Sequence, residues 1–186
     1  VCDFRFCRIA VGTSYGRNDW GEDLKRILMS AGAEDGEGVP TVFLFDDTQI
    51  VYESFLEDVN LLLNTGEVPN LFVQEDLSVI NDLLGPAANA AGVNTGIMAE
   101  MYKYFISRCR ANLHVVITMS PIGDAFRRRL RMFPALVNCC TLDWFTAWPE
   151  QALRSVASYF LGDVDIEEDV KAGVVDVCVD MQERVS

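Results

Sequence analysis

The sequence predicts an α/β layered domain with a mainly parallel sheet, and three observations predict it. Thr41-Val42-Phe43-Leu44-Phe45 and Leu113 to Met119 are continuous apolar runs, the composition of strands buried on both faces of a parallel sheet. Around and between them, apolar residues recur at helical spacing. Both runs end in polar residues, Asp46-Asp47 and Ser120, at the carboxyl ends of strands, where such sheets bind ligands. Strands alternating with helices complete the pattern.

In chain order, Phe4 to Val11 reads as a strand with Phe4, Phe6 and Arg8 on one face, broken by Gly12-Thr13-Ser14-Tyr15-Gly16. Asn18 or Asp19 is expected to cap a helix running through Leu24, Ile27 and Leu28 to about Ala31. Gly32 to Pro40 is acidic and Gly-rich, and reads as a loop. After the first apolar run, Phe55, Leu56, Val59, Leu62 and Leu63 form one helical stripe that Thr65-Gly66 stops. Val68 to Phe72 is expected to turn and Asp76 to Leu84 to form a short helix. Gly85 to Gly96, rich in Ala, Gly and Asn, is expected to be a flexible surface connection. Ile97 to Arg110 reads as a helix with Met101, Tyr104, Phe105 and Cys109 at helical spacing. Beyond the second apolar run, the pattern predicts a helix over Asp124–Arg131, a short strand over Val137–Leu142, a helix from Trp148-Pro149-Glu150 through Phe160, and a last helix over Glu167–Arg184.

Composition narrows the function classes. A chain of 186 residues suits one domain, or one domain with an appendage, and a hydrophobic half can build a core. No apolar run approaches the length that crosses a bilayer, so no membrane partner is expected. A net charge of −13 opposes binding to a phosphate backbone, which argues against nucleic acid. The local exception, Arg127-Arg128-Arg129-Leu130-Arg131, reads either as a solvated helix face or as a functional patch. Six cysteines without a CxxC and the lone His114 speak against a zinc site. Buried free thiols in a reducing compartment are the simpler expectation. His114, at the start of an apolar strand, reads as a packed structural residue rather than a catalyst. A start without Met that enters a strand at once reads as an excised piece of a longer chain.

An apolar strand ending in two acids has the shape of a Walker B element. There the first carboxylate holds magnesium, directly or through water, and the second orients the water that attacks the terminal phosphate. Alone the motif is weak, because acids after strands also cap helices or face solvent. Ser120, where the second strand emerges, can bond a phosphate or that water, or simply start a turn with Pro121. The phosphate-cradling pattern GxxxxGK[ST] does not occur in these residues, so tight nucleotide binding by this chain alone is not expected.

The order and wording of three stretches are more specific. They are Thr41 to Ile50 with Ser54 to Phe72, then Asn112 to Arg127, then Phe133-Pro134-Ala135-Leu136-Val137-Asn138-Cys139-Cys140-Thr141-Leu142-Asp143-Trp144-Phe145 leading to Trp148-Pro149. Together they closely resemble the fourth AAA+ module of dynein heavy chains. The wording at Asp47-Thr48-Gln49 and Asn138-Cys139-Cys140 is of the axonemal kind. The resemblance covers nearly the whole chain and is weakest at Gly32–Pro40 and Gly85–Gly96.

The resemblance implies an AAA+ P-loop NTPase-like parallel sheet flanked by helices, truncated before the P-loop, with C-terminal helices beginning the small subdomain. Residues 1–145 would be the large α/β subdomain and 146–186 the linker and the start of the helical one. Asp46 is then the magnesium-associated acid. Asp47 stands where active sites carry a catalytic Glu, one methylene short, and Ser120 stands at the sensor position where Asn is usual. Cys139 falls at an arginine-finger position that a neutral thiol cannot serve. ATP or ADP with magnesium belongs to the intact parent, an ATP-hydrolysing microtubule motor of cilia or flagella in the cytoskeleton, and this fragment alone is expected to be inactive. Implied partners are the neighbouring AAA+ modules, the dynein intermediate and light chains, and microtubules through the parent's stalk. No sustained heptads follow Phe160, so microtubule contact lies outside these residues. Two functional readings follow: a motor module with a regulatory or structural nucleotide site, or a non-catalytic scaffold transmitting conformational change around the ring. Without the strand that leads into the P-loop, Val137–Leu142 would lose its expected sheet neighbour.

Overall fold

A computed structural model of the chain describes residues 4–145, 147–164 and 166–185. The chain divides into two compact units, Val1–Thr141 and Leu142–Ser186.

The first unit is built on three parallel strands in the order β1 (Arg5–Arg8), β2 (Thr41–Asp46), β3 (Leu113–Thr118). Phe6 pairs with Val42 and Val42 with His114; two residues on, Arg8 pairs with Leu44 and Leu44 with Val116. The two apolar runs are therefore adjacent and parallel, as their composition predicts. Their side chains alternate strictly across the sheet. Thr41, Phe43 and Phe45 are fully buried on one face. Phe6, His114 and Val116, on the other, are exposed, so the expected burial of these strands on both faces is not met: among the described residues, only one face is covered. The exposed His114 ring there lies 5.3 Å from the exposed Phe4 ring, centroid to centroid, and is not packed in the core as expected.

Helices cover the buried face. They are α1 (Arg17–Ala33), α2 (Glu53–Thr65), α3 (Gln74–Ala90) and α4 (Met98–Asn112). Trp20 of α1 is the hinge of the core: it stacks on Phe55 of α2 at 4.5 Å and 5°, and lies 5.4 Å from Phe45 of β2. Rings offset in this way add about 1 kcal/mol beyond the area they bury. Leu24, Ile27 and Leu28 continue the α1 stripe, while Ile80, Leu84 and Ala88 of α3 and Met101, Phe105 and Cys109 of α4 complete the core. Gly32 lets α1 lie close to α4, since a Cβ there would come within 2.5 Å of both the Phe105 ring and the Cys109 sulfur.

Several boundaries differ from expectation. The N-cap of α1 is Gly16; Asp19 serves from inside the helix, its Oδ2 accepting from the Gly16 N–H at 2.9 Å. The helix then runs through Gly32 to Ala33, and a short 3-10 turn, Glu34–Gly36, occupies part of the expected loop. Gly66 ends α2 in the left-handed conformation, φ 82°, as its position after Thr65 predicts.

Gly85–Gly96 is not a flexible connection along its whole length, because α3 continues through Gly85 and Pro86 to Ala90. Its stripe of Ile80, Leu84 and Ala88 sits at helical spacing and is buried, and that burial outweighs the one backbone donor Pro86 lacks.

Val137–Leu142 is not a strand. Val137 and Asn138 belong to a single-turn helix, α6 (Ala135–Asn138), after α5 (Asp124–Met132), and 139–142 form bends and irregular chain. Pro134 has the φ of −65° that starts a helical turn, Asn60 Oδ1 accepts from the Ala135 N–H at 2.9 Å, and Leu136 is buried. These local contacts fix the segment as a turn on α2. The thiol expectation also needs correction. The described cysteines are free, but only Cys109 is buried; Cys139 and Cys178 are exposed, and Cys2 lies outside the described residues.

The second unit is a helical pair, α7 (Glu150–Leu161) and α8 (Glu168–Val185). Arg154 of α7 joins them, bonding Glu150 at 2.8 Å and Asp176 of α8 at 2.5 Å. Val175 and Val179 are buried on α8.

Candidate functional site

Parallel pairing places the carboxyl ends of β2 and β3 side by side, with Asp46 opposite Thr118 in register. The chain leaves β2 through a 3-10 turn, Asp47–Gln49, for which Asp46 is the N-cap. Asp46 Oδ1 accepts from the Thr48 N–H at 3.0 Å and from the Thr48 hydroxyl. Its backbone N–H donates to Gln49 Oε1 at 2.8 Å, and the buried Gln49 amide donates to the Ile9 carbonyl. The turn is thereby fastened to the end of β1.

The second oxygen of Asp46 belongs to β1. Arg8 donates to Oδ2 from Nε at 3.0 Å and from Nη2 at 2.7 Å. Side-chain exposure is 54% for Arg8 and 14% for Asp46, so the carboxylate is the anchored partner. The Thr48 hydroxyl first, and then the Arg8 guanidinium, hold the Asp46 carboxyl below its ordinary range, against the opposing effect of partial burial.

Asp47 points the other way. Its Oδ2 accepts the Ser120 N–H at 3.1 Å, tying the end of β2 to the residue after β3. The Ser120 hydroxyl oxygen takes a long bond, 3.4 Å, from the Ile122 N–H. The three candidate residues thus gather at one end of the sheet.

The geometry tests whether a magnesium ion fits. An ionised carboxylate offers about four lone-pair positions. Asp46 already receives four donors: Nε and Nη2 of Arg8, and N and Oγ1 of Thr48. As arranged, it has no oxygen position left for direct coordination. Asp47 retains Oδ1. No group of three or more His, Cys, Asp or Glu suited to a metal occurs among the described residues. Arg129, from the basic run, pairs with Glu53 at 3.1 Å and so bonds α5 to α2. Arg127, Arg128 and Arg131 are exposed.

Sequence reasoning missed two polar anchors. Arg8 on Asp46 was visible only as a charged residue in a strand face, its neighbouring strand being unknown. The other is Asp58, 5% exposed within α2. Trp20 Nε1 donates to its Oδ2 at 2.8 Å, and Arg17 grips both oxygens, Nη2 bonding Oδ1 at 2.9 Å. The signal was an acid three residues after Phe55 on an otherwise apolar stripe.

Comparison with known proteins decides the family. Residues 1–186, the whole chain, match the family described as the P-loop containing dynein motor region D4. The chain belongs to this family. Members of the dynein heavy chains are similar to it along its full length. "Dynein axonemal heavy chain 6" of Homo sapiens is 45% identical over 187 residues, covering 100% of this chain. "Dynein-1-beta heavy chain, flagellar inner arm I1 complex" of Chlamydomonas reinhardtii is 48% identical over 186 residues, again 100% of the chain. "Dynein axonemal heavy chain 3" of Homo sapiens is 45% identical over 98% of it. The chain spans 4% of the length of each of these relatives. By family it is a dynein motor region, and its three parallel strands flanked by helices are consistent with an AAA+ fragment.

Proposed function

We propose that this chain acts within an axonemal dynein heavy chain, in a motor of cilia or flagella that moves along microtubules by hydrolysing ATP, and that its own nucleotide site is regulatory or structural. The full-length match to the dynein motor region supports the first half. The saturated Asp46 carboxylate supports the second. In this reading Asp46, Asp47 and Ser120 mark the edge where nucleotide and magnesium would sit. No hydrolytic step is assigned to Asp47, because the acid beside it does not offer a metal a free oxygen. Residues 1–145 serve as the large AAA+ subdomain, and 146–186 as the linker and the start of the helical subdomain. The partners are the adjoining AAA+ modules of the same heavy chain, with intermediate and light chains and the microtubule engaged elsewhere in the parent.

The second reading, a non-catalytic scaffold that passes conformational change around the ring, is favoured by the same observation. The bonds made by Asp46, Asp47 and Gln49 tie together β1, β2 and the end of β3, which suits a rigid transmitter. An antibody raised against this chain should label axonemes in the ciliated or flagellated cells that express it. Label confined to the cell body would contradict the axonemal assignment.

A further inference from the structure

The Arg8–Asp46 pair occupies the oxygen that a cation would need. Asp46 uses Oδ1 to cap its own turn, a bond set made within three residues that any rearrangement of the site would have to break. Oδ2 carries no such local duty, since both of its donors come from one exposed side chain on the neighbouring strand. Asp47 is next in sequence and keeps Oδ1 unengaged. A hard divalent cation prefers carboxylate oxygens and tolerates retained waters. Only one group therefore stands between such a cation and the carboxylate pair.

We propose that Arg8 is the resident counter-ion of Asp46, so that a divalent cation reaches Asp46 Oδ2 only by displacing the Arg8 guanidinium. The inference rests on the reading that this sheet end is the metal edge of the module. Arg8 is a positioning residue: it bonds Asp46 and would touch neither nucleotide nor metal. Two features make the displacement feasible. More than half of the Arg8 side chain is exposed, so the released guanidinium returns to water. The Thr48 bonds are untouched by its departure and keep Asp46 aimed. The exchange is one of charge, a guanidinium leaving as a dication arrives, and needs no proton transfer.

The test is manganese titration of the whole chain, read by paramagnetic broadening of its backbone amide signals, with Mn2+ standing in for Mg2+. Three proteins are compared: the unaltered chain, Arg8→Gln, and Arg5→Ala. Arg5 lies on the same strand, bonds Ser30 and Glu34, and its loss changes net charge equally, so it controls for general attraction of cations to an acidic chain. The expected result is that the Thr48 and Ser120 signals broaden at about fivefold lower Mn2+ in Arg8→Gln than in the other two, the size of one exposed ion pair removed. A matching spectrum elsewhere shows that the variant is folded. Equal broadening at these signals in all three proteins would overturn the role of Arg8 while leaving the metal edge in place. No broadening there in any of them would overturn the metal edge and the inference together.

Discussion

Asp47 Oδ2 accepts the backbone N–H of Ser120 at 3.1 Å, a bond that spans 73 positions and closes the carboxyl ends of β2 and β3 against each other. It makes the second acid of the pair a structural tie, whatever further role it has. Removing the acceptor leaves the Ser120 N–H with water alone.

Asp47→Ala should therefore destabilise the chain by about 1 kcal/mol, the net value of such a bond. Urea denaturation measures this, and hydrogen exchange at Ser120 should accelerate in parallel. Asp47→Asn, which keeps an acceptor oxygen, should lose less. An unchanged Ser120 exchange rate in Asp47→Ala would show that the bond does not form.

Asp58 is the more demanding residue. Its carboxylate satisfies the indole N–H of the fully buried Trp20 and the fork of Arg17. Asp58→Ala should cost roughly 2–4 kcal/mol, combining an unsatisfied buried donor with a broken, partly buried ion pair. Asp58→Asn should recover part of that, because Asn can still accept from Trp20. Trp20 fluorescence during denaturation reports both.

Acid should weaken the fold through three carboxylates held below their ordinary range. They are Asp46 (by Thr48, then Arg8), Glu34 (by Ser30, then Arg5) and Asp76 (by Lys25). Each has a folded value below its unfolded one. Their contribution is present above the unfolded value, about pH 4, and is lost as pH falls through the folded values. The urea midpoint should thus fall with pH below about 4, and Asp46→Asn should flatten part of that slope. A midpoint independent of pH in this range would contradict the ion-pair geometry.

What the sequence disclosed follows from which forces are periodic. The strands β2 and β3 were legible as continuous apolar runs, although the structure buries only one of their faces, and their shared end followed from parallel pairing. Asp47 near Ser120 was thus predictable before any coordinate. Arg8 on Asp46 was not, since it depends on which strand flanks β2. The continuation of α3 through Gly85-Pro86 was hidden by local breakers that tertiary burial of Leu84 and Ala88 overrides. At Val137–Leu142, the apolar pattern suits a strand only if a neighbouring strand edge receives it. Pro134 and the Asn60 side chain offered a nearer solution.

On the proposed reading, these residues of a dynein motor region bind nucleotide weakly on their own, because Asp46 is already filled and the GxxxxGK[ST] cradle does not occur among them. Isothermal calorimetry of the chain with magnesium-ATP tests it most directly. The account predicts no saturable heat at micromolar nucleotide; a dissociation constant of about 1–10 μM, an affinity of roughly 7–8 kcal/mol, would contradict it.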